Sequence, residues 1–264
     1  MGKLIAGGDS YIWGNELSDD DGSSRYSTRS WPALLANYLG YEYVCKAQYG
    51  DSNGAISRHV LNACEQHKDS DLIVVVQWTF GGRYEFRMRY ATNQIDSPWY
   101  SISGWTKEED MSVITESFQT MNQEILDSHI AHIKQAKDLG IADFARSFYD
   151  HVGDSEYYEI YSTLKEIVFL QNYLEIKKIP FLFTASNSTL FKSDVFTITH
   201  ADETITALLD QINWDKWFKF PGKTHPVGFY RWARENNYPI GTTHPLDEAH
   251  IDAFNLIKKR FTCE

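Results

Sequence analysis

An α/β fold with a mostly parallel sheet is what this sequence predicts, and three observations predict it. Short apolar runs alternate with amphipathic stretches through the first third of the chain, the pattern of βαβ units. One run, Leu72-Ile73-Val74-Val75-Val76, is apolar without a break and largely β-branched, as suits a strand buried on both faces. A chain of 264 residues with 42% hydrophobic and 23% charged side chains can bury one large core, and no internal repeat or linker interrupts it. The expectation is a single domain over 1–264. Its architecture would be a three-layer α/β/α sandwich around a sheet of about five strands, flavodoxin-like in outline.

Each element has a local reason. Lys3 to Gly8 reads as the first strand, followed by a polar loop from Ser18 to Arg29. Ser30-Trp31-Pro32 opens a helix, with Ser30 as N-cap and Pro32 in the first turn, where no amide hydrogen is needed. Leu34, Leu35, Tyr38 and Leu39 give that helix its buried stripe, and Gly40 ends it. Tyr41 to Gln48 reads as the second strand, Ala55 to His67 as the second helix and Asp71 to Trp78 as the third strand. From Phe80 to Lys107 the pattern dissolves into Arg, Tyr, Ser and Gly, an insertion expected over the edge of the sheet at about 80–107. Two long helical segments follow, near Glu108 to Leu139 and Glu156 to Lys177. Pro180 to Thr184 reads as a fourth core strand, and Pro245 to Phe261 as a final helix.

Composition excludes some partners. A formal charge of −11 argues against nucleic acid, whose phosphates demand a basic surface, and against anionic membranes. No apolar run of about 20 residues exists to span a bilayer. With the first strand read from Lys3, after Met1-Gly2, no signal peptide is expected. Cys45, Cys64 and Cys263 form no CxxC pair and are odd in number, so a reducing, cytoplasmic setting is expected. His129 and His132 stand i, i+3 with no acidic partner, and no metal site or other cofactor is expected. The 39 aromatic residues (8 Trp, 16 Tyr, 15 Phe) belong mostly to the core, with a minority free to line a cleft.

Two Gly-Asp-Ser triplets carry the candidate chemistry. Gly50-Asp51-Ser52-Asn53-Gly54 satisfies G-x-S-x-G between a strand and a helix, the context of a nucleophile elbow, which makes Ser52 one candidate. Only two strands precede it, however, and no oxyanion segment of the HGGG type does. Gly8-Asp9-Ser10 puts its serine just past the carboxyl end of the first strand, where ligands bind in open α/β sheets.

The stretch Leu4 to Gly14, with a glycine four residues after Ser10, resembles the first sequence block of the GDSL/SGNH hydrolases. Gly241-Thr242-Thr243-His244-Pro245-Leu246-Asp247-Glu248-Ala249-His250 resembles that family's last block, in which D-x-x-H-P precedes a helix. The resemblance implies an esterase with Ser10 as nucleophile, His244 as base and His250 as a downstream, non-catalytic histidine. A neutral imidazole beside a serine hydroxyl takes its proton during attack. It also implies oxyanion donors from the amides of Ser10 and Gly50 and from an asparagine side chain, which stabilise the tetrahedral intermediate.

Two family positions are altered. Gly241 stands where the triad aspartate should be, so another acid orients His244, or a Ser–His dyad operates, or activity is low. Asp247 and His250 offer an alternative acid–base pair at i, i+3 on a helix, although Asp247 also suits a first-turn carboxylate. The third strand is followed by Thr79-Phe80-Gly81 without the asparagine, leaving Thr79 or Asn53 to replace it. Arg83 and Glu85, with Arg87 and Arg89, read either as a clamp on a polar substrate or as a solvated, ion-paired loop. The function expected is hydrolysis of a small-molecule or carbohydrate ester, with deacetylation of a carbohydrate as one form. The competing readings are a degenerate binding or structural module and an O-acyltransferase.

Overall fold

In the computed structural model, which describes residues 2–21, 25–88, 99–107, 137–187 and 202–261 with helical positions at 127, 130, 131 and 134, four strands form a parallel central sheet. They are β1 (Lys3–Gly7), β2 (Glu42–Cys45), β3 (Leu72–Trp78) and, after a hairpin of β4 (Tyr84–Arg87) and β5 (Trp99–Ile102), β6 (Phe181–Ala185). The order is β2-β1-β3-β6, with Ala6 opposite Cys45 on one side and Val75 on the other. Where a fifth strand is expected, the described residues supply a single parallel bridge, Trp217 against Phe183, with the Phe218 N–H donating to the Phe183 carbonyl at 2.9 Å.

Strand alternation builds two cores, one on each face. Ile5, Val74, Val76, Phe181 and Phe183 face α3 (Asn53–Gln66), α5 (Glu156–Ile176) and α6 (Glu203–Asp210), meeting Ile56, Val60, Leu164, Ile167 and Ile205. Leu4, Ala6, Ile73, Val75 and Leu182 face α2 (Trp31–Leu39), α7 (Phe229–Glu235) and α8 (Asp247–Ile257), meeting Trp31, Leu35, Phe229, Trp232 and Ala253. Helices on both faces of a parallel sheet make the three layers. Full burial of each Val, Leu or Ile side chain stabilises the sandwich by about 1.5–3 kcal/mol.

Where an insertion is expected at 80–107, the described residues carry a second, two-stranded sheet. β4 and β5 pair antiparallel, with Tyr84 opposite Ile102 and Phe86 opposite Tyr100. These side chains pack with Ile141, Ala145 and Tyr149, on and just after α4 (Ile141–Phe148), in a third, smaller core. Much of the helix expected from Glu108 to Leu139 lies outside the described residues, as do Arg89, His129, His132 and Cys263. Cys45 and Cys64 are free thiols. Among the described residues no helix is long and apolar enough to cross a membrane, and no three His, Cys, Asp or Glu side chains converge on a metal position.

Ser30 occupies the N-cap of α2, but its hydroxyl makes no capping bond. The Trp31 amide donates instead to the Nδ1 of His250, 3.1 Å away across the layer from α8. A buried imidazole does the work expected of the serine.

Candidate active site

The order β2-β1-β3 makes the end of β1 a topological switch point, where connections leave for opposite sides and open a crevice. The chain turns there through Asp9 into the single-turn helix α1 (Ser10–Trp13). Asp9 is fully buried and caps that turn, accepting from the Tyr11 amide at 3.2 Å. It also accepts from the hydroxyls of Thr79 and of Ser186, the latter at 3.1 Å, and from Arg83 Nη1 at 3.4 Å. Below it, Ser186 accepts from Gln77 Nε2 at 3.1 Å, and Gln77 accepts from the Trp31 indole at 3.0 Å. A buried carboxylate needs such donors. They also fix the backbone on which Ser10 stands.

The two ends of the chain meet over this turn. Ser10 Oγ lies 2.8 Å from His244 Nε2, a hydrogen bond between residues 234 apart in sequence. Ser10 is partly exposed, while His244 is buried with its ring 4.7 Å from that of Tyr11. The other ring nitrogen, Nδ1, is 3.2 Å from Glu16 Oε1 and 2.8 Å from Thr243 Oγ1. Thr243 donates to the same carboxylate, through its hydroxyl at 3.1 Å and its amide at 3.2 Å. With Nε2 accepting from Ser10, Nδ1 carries the ring proton and presents it to this acidic side.

Glu16 is the residue that sequence reasoning missed. Burial alone would push its carboxyl pKa up. The hydrogen bond and charge of His244, with the two Thr243 donors, outweigh that and hold it down at about 2. Its backbone adopts φ of +66°, a left-handed conformation that costs a non-glycine residue about 1 kcal/mol and persists only where surroundings enforce it. Gly241 explains how the carboxylate fits. A Cβ at that position would lie 2.0 Å from Glu16 Oε2. The space that a side chain at 241 would fill is occupied by a carboxylate arriving from the loop that follows Ser10.

The other sequence candidates fall elsewhere. Ser52 is fully buried at the N-cap of α3, its Oγ accepting from the Ala55 amide at 3.1 Å. It is a helix cap rather than an exposed elbow. Asn53 gives both amide hydrogens away, to the Thr79 carbonyl at 3.3 Å and Thr163 Oγ1 at 3.1 Å, and accepts from the Thr79 amide at 2.8 Å. Because the Thr79 hydroxyl donates to Asp9, neither side chain has a hydrogen left for an oxyanion. Gly50 sits at φ +72°, a conformation glycine adopts without strain, beside Tyr49, whose ring is 5.2 Å from that of Trp13 on α1.

Asp247 and His250 do not form a pair. Asp247 accepts from the Ser18 amide and hydroxyl, each at 3.0 Å, and from Arg29. His250 is fully buried, and desolvation holds its pKa down at about 3, so it stays neutral and accepts from Trp31. Arg83 is at the site but turned on Asp9 and, at 3.1 Å, on Thr79 Oγ1, with its guanidinium 4.7 Å from the centre of the Phe80 ring. Glu85 is ion-paired with Arg58, which stacks 4.7 Å over Trp99. Next to Gly50 lies a second imidazole–carboxylate pair, with His59 Nδ1 3.1 Å from Asp51 Oδ2 and His59 Nε2 accepting from Arg58 at 2.9 Å. Desolvation pushes the Asp51 carboxyl up to about 6 despite that bond.

No family model matches the chain, and no curated protein does. Among solved structures it is similar to a carbohydrate acetylesterase family member from Sinorhizobium meliloti, at 12% identity and TM-score 0.43 over 99% of this chain and 97% of that one. It is also similar to the esterase EstA from Pseudoalteromonas sp., at 9% identity and TM-score 0.42 over 99% of both chains. A third is a carbohydrate esterase family 2 enzyme with a carbohydrate-binding domain from Corynascus thermopiles (Myceliophthora fergusii), at 11% identity and TM-score 0.43, of which this chain spans 65%.

Proposed function

We propose that the chain is a serine esterase that hydrolyses a small acyl ester through Ser10, His244 and Glu16. The observation that carries this reading is the 2.8 Å contact between Ser10 Oγ and His244 Nε2 at the switch point of the sheet. A buried imidazole in contact with a partly exposed serine hydroxyl is the arrangement that nucleophilic acyl transfer requires.

In this mechanism Ser10 Oγ attacks the acyl carbonyl and passes its proton to His244 Nε2. Glu16, ionised with its carboxyl held at about 2, faces the imidazolium that forms and takes no proton from it. The amides of Ser10 and Gly50 receive the negative oxygen of the tetrahedral intermediate. Its collapse expels the alcohol, which takes the proton from Nε2 and leaves an acyl-serine. Water then attacks that ester, again giving its proton to Nε2, and the second collapse returns the proton to Ser10 and releases the acid.

We assign the alcohol portion to a carbohydrate. Supporting this are the rings of Trp13, Tyr26 and Tyr49 beside the nucleophile's helix, two of them well exposed, whose flat apolar faces and polar edges suit a sugar ring.

Release of p-nitrophenol from p-nitrophenyl acetate tests the chemistry, with Ser10→Ala, His244→Ala and Ser52→Ala compared against wild type. Loss on the order of 10⁵-fold in the first two and retention in the third is expected. Wild-type turnover that survives Ser10→Ala overturns the assignment of the nucleophile. Acyl transfer to added sugar alcohols in preference to water would mark a transferase instead.

A further inference from the structure

The acid and the base reach Ser10 from opposite ends of the chain, and neither the sheet nor a helix of any length carries Glu16. It lies in the loop after α1. Within that loop the Glu16 amide donates to Asp20 Oδ2 at 2.9 Å, and Asp19 gathers the Thr28 amide at 2.8 Å and the hydroxyls of Ser27 and Thr28. These bonds shape the loop from within, the Ser27 amide ties it back to the Trp13 carbonyl at 2.8 Å, and Leu17 is buried beside Glu16. Asp247 adds an attachment to the turn that carries His244. This first residue of α8 accepts from both the amide and the hydroxyl of Ser18, each at 3.0 Å, and is ion-paired with Arg29. One carboxylate therefore grips the loop on both its outgoing and returning limbs. Asp247 stands three residues after His244, on the same turn, where Gly241 N–H donates to the His244 carbonyl at 2.9 Å and Leu246 N–H to Pro239 at 3.0 Å.

We infer that Asp247 is a positioning residue for the catalytic acid: it docks the Glu16 loop on the turn that carries His244 and so sets the distance between acid and base. The inference rests on the reading of Ser10, His244 and Glu16 as the catalytic centre. Its physical basis is the strained backbone at Glu16, whose left-handed conformation has to be enforced from outside. Bonds from Thr243 to the carboxylate act on the far end of a flexible side chain, whereas the bond from Ser18 N–H to Asp247 acts on the backbone two residues away. Burial would raise the Asp247 carboxyl, but the amide and hydroxyl of Ser18 and the guanidinium of Arg29 outweigh it and hold the carboxyl below its ordinary range, so these donors orient it. Asp247 touches no reacting atom. Its effect passes through Glu16.

The test uses the full chain as Asp247→Ala, Glu16→Gln and the double variant, with Ser18→Ala and Arg29→Ala as one-limb versions. Three quantities are read: kcat and KM on p-nitrophenyl acetate, the deshielded His244 Nδ1–H proton resonance, and the melting temperature. Asp247→Ala should lower kcat roughly 10- to 100-fold, as loss of a supporting carboxylate commonly does, with KM little changed and the Nδ1–H resonance broadened or lost. In the Glu16→Gln background the same substitution should cost nothing further, because the group it positions is gone. An equal loss in both backgrounds, or no loss from wild type, overturns the inference. Should Asp247→Ala melt below the assay temperature, Ser18→Ala and Arg29→Ala carry the same comparison, each expected to lower kcat several-fold only while Glu16 is present. If no variant and no wild-type protein cleaves the ester, yet the Nδ1–H resonance still vanishes with Asp247→Ala, the clamp stands and the esterase reading falls.

Discussion

Two imidazole–carboxylate pairs of almost equal length stand at the two Gly-Asp-Ser triplets, His244 with Glu16 at 3.2 Å beside Ser10 and His59 with Asp51 at 3.1 Å, and their carboxyls move in opposite directions. Glu16 is held down at about 2, and Asp51 is driven up to about 6. Desolvation opposes ionisation in both. At Glu16 the imidazole is joined by the amide and hydroxyl of Thr243, three donors in all. At Asp51 the imidazole works against burial and against the charges of Glu85 and Asp9. The far ring nitrogens differ as well: that of His244 meets the Ser10 hydroxyl, the proton donor our proposed mechanism needs, and that of His59 accepts from Arg58, a guanidinium that gives up no proton. A histidine beside an acid is thus not a general base by itself. Donor count at the acid and the chemistry at the other nitrogen decide it.

The sharpest way to break this comparison is to neutralise each acid in turn. Glu16→Gln keeps the shape but removes the charge that faces the imidazolium, and a loss on the order of 10²–10⁴-fold in kcat is expected. Asp51→Asn should leave ester turnover within an order of magnitude. Steady-state kinetics on p-nitrophenyl acetate reads both, and equal losses would mean that the two pairs share one task.

Next in size is an intrusion into the space that Glu16 fills. Gly241→Ala places a methyl group 2.0 Å from Oε2, so the carboxylate must swing away from His244. A displacement of about 1 Å in a catalytic group can cost 10- to 100-fold, and the loss should appear in kcat more than in KM. Unchanged kcat in a folded Gly241→Ala variant would show that the carboxylate does not need its present seat.

This pocket at Gly241 also marks the limit of what the sequence discloses. The fold is legible because burial on both faces leaves a continuous record, as in Leu72 to Val76, and because the Ser30 and Gly40 boundaries of α2 are local. Ser10 and His244 are legible as site candidates because each stands in a short motif with a fixed relation to a strand end or a helix start. Glu16 has no such relation. Asp19, Asp20 and Asp21 share its loop, and only the three-dimensional approach of that loop to residue 241 singles it out. The glycine at 241 is the one available hint, since it leaves room for an acid from elsewhere. Asn53 and Thr79 mislead for a related reason: their types suit an oxyanion hole, but their hydrogens join the start of α3 to the end of β3. The β4–β5 hairpin escapes notice because its inward residues, Tyr84, Phe86, Tyr100 and Ile102, are split by a long polar interval.

A smaller effect separates the pairs through stability and pH. The Glu16 carboxyl lies below its ordinary 4.5, so its contribution is complete above about pH 4.5 and is lost as pH falls toward 2. Asp51 lies above its ordinary 3.8, so its contribution is present below that value and is lost as pH rises through about 6. Asp51→Asn removes the second dependence. Relative to wild type the variant should gain on the order of 1–3 kcal/mol between pH 4 and pH 7, read by urea unfolding at each pH. A difference that stays constant across that window would mean that Asp51 is already ionised in the folded protein at pH 4.

The smallest effect concerns the serines that stand beside these acids. Ser10 follows Asp9 and Ser52 follows Asp51 in identical Gly-Asp-Ser triplets, each at the start of a helix after a strand. In the first triplet the aspartate caps the turn and the serine hydroxyl is free to meet His244. In the second the serine itself is the cap and the aspartate meets His59. The roles are exchanged by one position. Ser52→Ala should therefore act on stability alone, costing about 1 kcal/mol for a lost N-cap and lowering the melting temperature by roughly 2–4 °C, with kcat/KM unchanged. Because α3 follows directly on the Gly50 turn, a fall in kcat/KM larger than the fraction of protein unfolded would show that the cap also holds the Gly50 amide in place, and the separation between the two triplets would then be incomplete.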